Sequence, residues 1–262
     1  MEQKEKKSLL QKVPHWGWVL ISFAAALLLW YALSVNPKTS RSFPFVPAIF
    51  EALQTMIQNG ALGEDLASSM ISVGAGFALG FVTSVPVAFL MAWYLPVRGI
   101  LEPWIQFIRN IPPLAYVPLV VIAVGVGRTP QIIVIWIATF LTMAVTIYQG
   151  VRGVDNTLIK AARVLGANDT VLFLKVIFPA TTPFILTAVR LGVSVALTTL
   201  IAAESTGAFA GLGMRIRALS NNYEMAAMLL YIIIIGIIGL VLEKVIKFLE
   251  KRLTGWQETR SA

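Results

Sequence analysis

The sequence contains no cysteine and a single histidine, His15, and only 13% of its 262 residues are charged. Without cysteine there are no disulfides, thiolate nucleophiles or sulfur-ligated metal sites, and one histidine leaves no set of imidazoles for zinc. His15 stands beside Trp16 where the chain turns apolar, which reads as a membrane-border residue rather than a ligand. No Gly-x-x-x-x-Gly-Lys-[Ser/Thr] run is present, so the chain lacks a phosphate-cradling loop of its own. The apolar runs hold no paired acidic set, and no two halves resemble each other. Both absences argue against an ion-coupled secondary transporter, the alternative from another class. What is abundant is apolar surface: 57% of residues are hydrophobic and mean hydropathy is +0.78, beyond soluble-domain usage. The formal net charge of +8 sits on residues flanking the apolar runs. That placement marks membrane topology and not a nucleic-acid partner.

About 20 apolar residues cross a hydrocarbon core. The uncharged runs therefore predict an all-α membrane protein with six transmembrane helices, at about 16–35, 66–94, 107–127, 129–150, 178–203 and 225–246. The first run is too long and too aromatic for a cleaved signal. Residues 1–15 and 254–262 become tails, and 16–253 one membrane domain with a loop at 152–178. If both termini are cytoplasmic, fifteen Lys and Arg residues lie inside and five outside, with Arg190 left in the membrane. The positive-inside rule favours that orientation. Between the first two spans, Ser42 to Asp65 predicts a short amphipathic helix on the outer surface. At the carboxyl end, Val241 to Leu253 carries the last helix into the interface, with Trp256 as an anchor.

The inside loop is patterned. Asp155 can cap a helix through "NTLIKAARVL", whose Leu158, Ala161, Ala162 and Leu165 form one apolar stripe. Gly166 can close that helix in the left-handed conformation, and Asn168 or Asp169 can cap a second short helix from Thr170 to Phe178. Pro179 marks the handover to the fifth span. A small Ala-Ala face beside a glycine turn permits close backbone approach by another protein. An amphipathic hairpin resting on lipid has the same pattern.

"K-A-A-R-V-L-G", nine residues, then "V-I-F-P" resembles the cytoplasmic loop of ABC importer permeases, whose pattern is Glu-Ala-Ala, three residues, Gly, nine residues, Ile-x-Leu-Pro. Ala161, Ala162, Gly166 and Pro179 match it, while Lys160 replaces the acidic residue. "RNIPPLAYVPLVVIAVGVG", "AVRLGVSVALTTLIAAE" and Gly211 to Gly213 are similar to permeases of the sulfonate, taurine, nitrate and bicarbonate type, with Ser72 where that family often has Arg. The resemblance implies a type I ABC importer permease fold in a bacterial plasma (inner) membrane, and a chain that is not itself an enzyme. The implied partners are a second permease copy, two cytoplasmic ATPase subunits that hold ATP and Mg, and an extracellular binding protein that delivers the solute; this chain is expected to bind no cofactor. The implied coupling loop comprises Lys160, Ala161, Ala162, Arg163, Gly166, Ala167 and Pro179. The implied solute is a small anion, with organic sulfonates first; similar permeases also serve thiamine pyrimidines or riboflavin.

Arg190 is the one basic residue inside a span, and a cation at membrane depth faces protein or water. Ser194, Leu197, Ile201 and Glu204 follow it at helical spacing, predicting either a path-facing stripe or an Arg bonded to helix carbonyls with Glu204 closing the outer end. Pro112 and Pro113 fit the first turn of the third span, whereas Pro118 should kink it as a candidate gate or as ordinary packing.

Overall fold

The computed structural model describes residues 14–253, which form eleven α-helices and one π-helical turn and contain no strand. Trp256 and the first thirteen residues lie outside the described residues. Helix α1 (His15–Val35) is apolar all round, and only 6% of its span is buried. It is the least covered of the long helices. Its far end is tied down where the Trp30 indole N–H donates to the Pro44 carbonyl at 3.0 Å. Helix α2 (Val46–Gln58), started by Pro47 in its first turn, is amphipathic and lies against the last helix.

Helix α3 (Ala61–Trp93) is 33 residues long, about 50 Å, and outreaches a 30 Å hydrocarbon layer. Helix α4 (Leu95–Arg109) follows, then a break at Asn110–Pro112 and helix α5 (Pro113–Val124), turned by 103° from α4. The single span expected over 107–127, kinked at Pro118, is thus replaced by two helices. Pro112 and Pro113 are consecutive, Ile111 before them is steered away from helical dihedrals, and two backbone donors are missing at once. The bend belongs to this step and not to Pro118, which sits inside the twelve-residue α5.

Gly125 and Gly127 turn the chain into helix α6 (Arg128–Arg152), which descends to the loop side. There α7 (Asn156–Val164) and α8 (Asp169–Leu172) flank Gly166. The second loop helix was expected to end at Pro179. Instead α8, the π turn (Phe173–Ile177) and α9 (Phe178–Gly207) run on as one 39-residue rod. Pro179 has no N–H for the carbonyl four residues back, and the wider turn before it, with the Phe178 N–H reaching the Phe173 carbonyl, accommodates that loss. Helices α10 (Leu212–Asn221) and α11 (Met225–Leu253) complete the domain.

The core is a three-helix stack with α6 between α3 and α9, and 61% of the α6 span is buried. On α3, Gly76 meets Ile135 and Gly80 meets Thr139, so the small residues of "VGAGFALG" let the two backbones close up. Polar pairs fix the register: Ser72 Oγ donates to Gln131 Oε1 at 2.9 Å, and the Trp136 indole N–H to Thr83 Oγ1 at 3.0 Å. Ser72 is thereby a buried α3–α6 link.

A β-carbon on Gly80 would stand 2.1 Å from Thr139 Oγ1, whereas one on Gly74 meets nothing within 4 Å. Gly80→Val should therefore cost about 1–3 kcal/mol by overpacking, while Gly74→Ala is neutral or stabilising. Thermal unfolding of the two purified variants in detergent checks the contrast.

Candidate functional site

The loop side is built from its caps. Asp155 Oδ1 accepts from the Thr157 N–H at 2.7 Å, which holds its carboxyl below the ordinary carboxylate range and starts α7. Gly166 adopts φ +84° after the helix, and Asn168 Oδ1 accepts from the Val171 N–H at 2.9 Å to start α8. Across the glycine turn, Arg163 pairs with Asp169 and also donates to the Ala167 carbonyl at 3.2 Å. The turn is thus closed by backbone and by charge. Lys160 is exposed on the same helix, where it meets solvent or a partner.

The expected apolar stripe of α7 divides. Ala162, together with Ile159, packs onto the core that Leu172 and Phe173 extend to the loop. Leu158, Ala161 and Leu165 face outward. Val164 and Leu165, next to Gly166, are each 87% exposed. Two apolar side chains are thus left exposed at the tip of a capped, ion-paired turn.

The five residues Arg190, Ser194, Leu197, Ile201 and Glu204 are not brought to one place. Arg190, Ser194 and Leu197 line a cavity of about 440 Å³ between α9 and α11, with Glu243 on its far wall. Arg190 forms an ion pair with Glu250 on α11, sixty residues away, and its Nε is buried without a partner. The pair forms because α11 extends far enough to bring a carboxylate beside the guanidinium. Ile201 turns into the packing with Leu212 and Tyr231. Glu204, 1% exposed, is part of a polar knot at the far end.

That knot was not legible as a unit. Ser69 Oγ donates to Glu204 Oε1 at 2.6 Å and accepts from the Leu212 N–H at 2.9 Å, while the Gly213 N–H donates to Glu204 Oε2 at 2.7 Å. Asp65, fully buried, accepts from the Gly211 N–H at 2.9 Å, from the Tyr231 hydroxyl at 2.9 Å and from Arg215 Nε at 2.7 Å. The Asp65 hydrogen bond raises the Arg215 pKa and keeps the guanidinium charged. Two carboxylates thus hold the Gly211–Gly213 turn onto α3, α9 and α11. The signal available in the sequence was an acidic residue at the start of a long apolar run.

Sequence reasoning reached only Ser194 of the exposed face of α9, whose centre lies roughly a quarter turn from the expected stripe. Thr187, Ser194, Thr198 and Thr206 are exposed on it. Each hydroxyl donates to the carbonyl four residues back, at 2.9, 3.4, 2.9 and 3.2 Å. Their lone pairs remain outward, so a spanning helix presents a row of acceptors where lipid offers no partner. Pro112, Pro113 and Pro118 are placed together on α5 and its start, and α5 packs against α6 and α9.

The helical stack, the glycine-turned loop and the far-end knot define a multi-pass transport permease. The chain belongs to the family described as binding-protein-dependent transport system inner membrane component, which it matches over residues 84–255. It is 42% identical over 242 residues to a "probable ABC transporter permease protein" of Brucella abortus strain 2308, covering 92% of this chain and 96% of that protein. The taurine transport system permease protein TauC of Escherichia coli is 34% identical, covering 90% of this chain and 88% of TauC. Permeases named for aliphatic sulfonates, nitrate and bicarbonate are similar at 27% to 29% identity. In fold, the chain is similar to the inward-facing MetNI methionine ABC transporter in its native crystal form. The TM-score is 0.63 at 18% identity, over 72% of this chain and 94% of that one. The fold is that of a type I ABC importer permease in an inner membrane.

Two predictions follow from the ion pairs. Asp65→Ala leaves Arg215, the Tyr231 hydroxyl and the Gly211 N–H without their acceptor, and should lower stability by about 3–5 kcal/mol. Denaturation monitored by tryptophan fluorescence reads the loss. For the second pair, Arg190→Glu and Glu250→Arg should each lower the unfolding midpoint, and the double exchange should recover most of it, because opposite charges again face each other. Additive losses in the double variant would contradict the pairing.

Proposed function

We propose that the chain is the path-forming subunit of an ABC importer for a small organic sulfonate or related anion, delivered by an extracellular binding protein and driven by separate ATPase subunits. The exposed Val164–Leu165 tip carries this reading, since an apolar surface held rigid by Asp155, Asn168 and the Arg163–Asp169 pair suits docking into a groove of a soluble partner. That partner is the ATPase, which holds ATP and Mg. The loop side is then cytoplasmic, in keeping with the fifteen Lys and Arg residues assigned there. Two copies of this chain enclose the path, each contributing the hydroxyl face of α9. Closure of the ATPases on ATP moves the loops and exchanges inward for outward opening.

The choice of solute class is supported by the names of the relatives, taurine at 34% identity and sulfonates, nitrate and bicarbonate below it. Arg190 is already paired with Glu250, so discrimination rests on the binding protein and on the α9 hydroxyls as hydrogen-bonding groups. Proteoliposomes holding the chain, its ATPase and its binding protein should take up an alkanesulfonate only with hydrolysable ATP. Uptake of a vitamin precursor with no sulfonate uptake would replace the solute assignment.

Gly166 offers the sharper test of coupling. A side chain there meets open space but must adopt φ +84°. Gly166→Leu should leave the permease folded while ATPase association and uptake fall steeply, and Gly166→Asn should retain more of both, because asparagine tolerates the left-handed region. Co-purification of the ATPase with each variant reads the difference; parent-level association in the Leu variant would remove the loop from coupling.

A further inference from the structure

A cavity of about 650 Å³ opens at the root of the loop, between the end of α3 and the π turn. Its walls are aromatic: Phe89 and Trp93 from α3, Phe173 from the π turn and Phe178 from α9, with Asp169 and Thr170 lining the loop end. The rings fix one another. Phe89 meets Phe173 edge-on at 5.1 Å and stacks on Phe178 at 5.9 Å, and Trp93 meets Phe173 edge-on at 6.0 Å. Val85, also on the wall, lies eight residues before Trp93, so the cavity reaches about 12 Å along α3 from its interfacial end.

Water inside would find aromatic faces and few polar partners, so the deep part suits hydrocarbon. A helix 10–12 Å across would fill 650 Å³ with about one to one and a half turns, which disfavours an inserted helix and leaves room for a flexible chain. The mouth has the opposite character. Asp169 has 71% of its side chain exposed, and although Arg163 engages one of its oxygens, a carboxylate accepts several donors. Aromatic faces and a carboxylate at a membrane border together select a cation on an apolar tail. We propose that this cavity holds one acyl chain of a phospholipid with an ammonium headgroup, from the leaflet on the loop side, with the ammonium at Asp169 and the chain between α3 and the π turn. The headgroup then competes with Arg163 for Asp169 and loosens the closure of the glycine turn. That last consequence rests on the loop being the ATPase-docking element; occupancy of the cavity does not.

The test uses the full chain without ATPase, reconstituted in vesicles of equal phosphatidylethanolamine and phosphatidylglycerol, released into detergent and weighed by native mass spectrometry. Phosphatidylethanolamine should be retained over phosphatidylglycerol by about fivefold, the scale of one exposed cation–π and carboxylate contact. Asp169→Asn should abolish that preference, and Val85→Phe, or Leu90→Trp should Val85→Phe fail to fold, should remove retention of both lipids. Equal retention of the two lipids by the parent, or no change in Asp169→Asn, overturns the headgroup assignment, and unchanged retention in the filled-cavity variant overturns the cavity. Loss of the bound lipid whenever the ATPase is added, with uptake intact, would give the cavity to the ATPase instead.

Discussion

The close contact of α6 with both α3 and α9 is the constraint on which the other features depend. In lipid there is no hydrophobic gain from bringing two apolar helices together, so they associate through packing and a few hydrogen bonds. Gly80 against Thr139 on one side of α6, and Gly192 against Met143 on the other, supply the packing. Ser72–Gln131 and Trp136–Thr83 supply the register. With α6 fixed, the hydroxyl face of α9 is directed away from the stack and the loop between α6 and α9 leaves the membrane at a defined place.

The two ends of this stack are built differently. At the far end Asp65 and Glu204 are buried and accept backbone N–H groups of the Gly211–Gly213 turn, so opening that end exposes unsatisfied donors and acceptors. At the loop end the polar contacts are exposed, and the apolar tip at Val164 and Leu165 is left uncovered by the described residues. In the proposed importer, a far end held rigid and an exposed loop suit a subunit whose motion is imposed from one side.

Much of this was readable from pattern. Local rules reached the caps at Asp155 and Asn168 and the left-handed Gly166, because each depends on residues within a few positions of one another. The long apolar runs gave α1, α3, α6, α9 and α11 for the same reason. The 103° break at Asn110–Pro112 lies where an apolar run begins just after Arg109, and hydropathy carries no direction to show the turn. Arg190 was singled out, yet its partner Glu250 lies sixty residues on, beyond any helical spacing rule. The charges mark little of the exposed face of α9: Glu204 points into the knot, and Ser194 of the expected stripe shares the exposed row with threonines that look unremarkable in sequence.

The 39-residue rod from Asp169 to Gly207 joins these parts mechanically. At about 1.5 Å per residue it runs some 58 Å, from the ion pair that closes the loop turn to within three residues of Glu204. Its one irregularity, the π turn at Phe173–Ile177, lies between the loop and the first turn of α9 and not in the stretch packed on α6. In the proposed importer, a displacement of the loop therefore tilts α9 as a unit about its contact with α6 instead of bending it midway. The Arg190–Glu250 pair lies along that rod and joins it to α11, so the two helices move together on the loop side. The knot around Glu204 and Asp65 holds the outer end. A tilt with one end held opens the loop side of the α9 face more than the far side, which is the inward-opening half of alternating access.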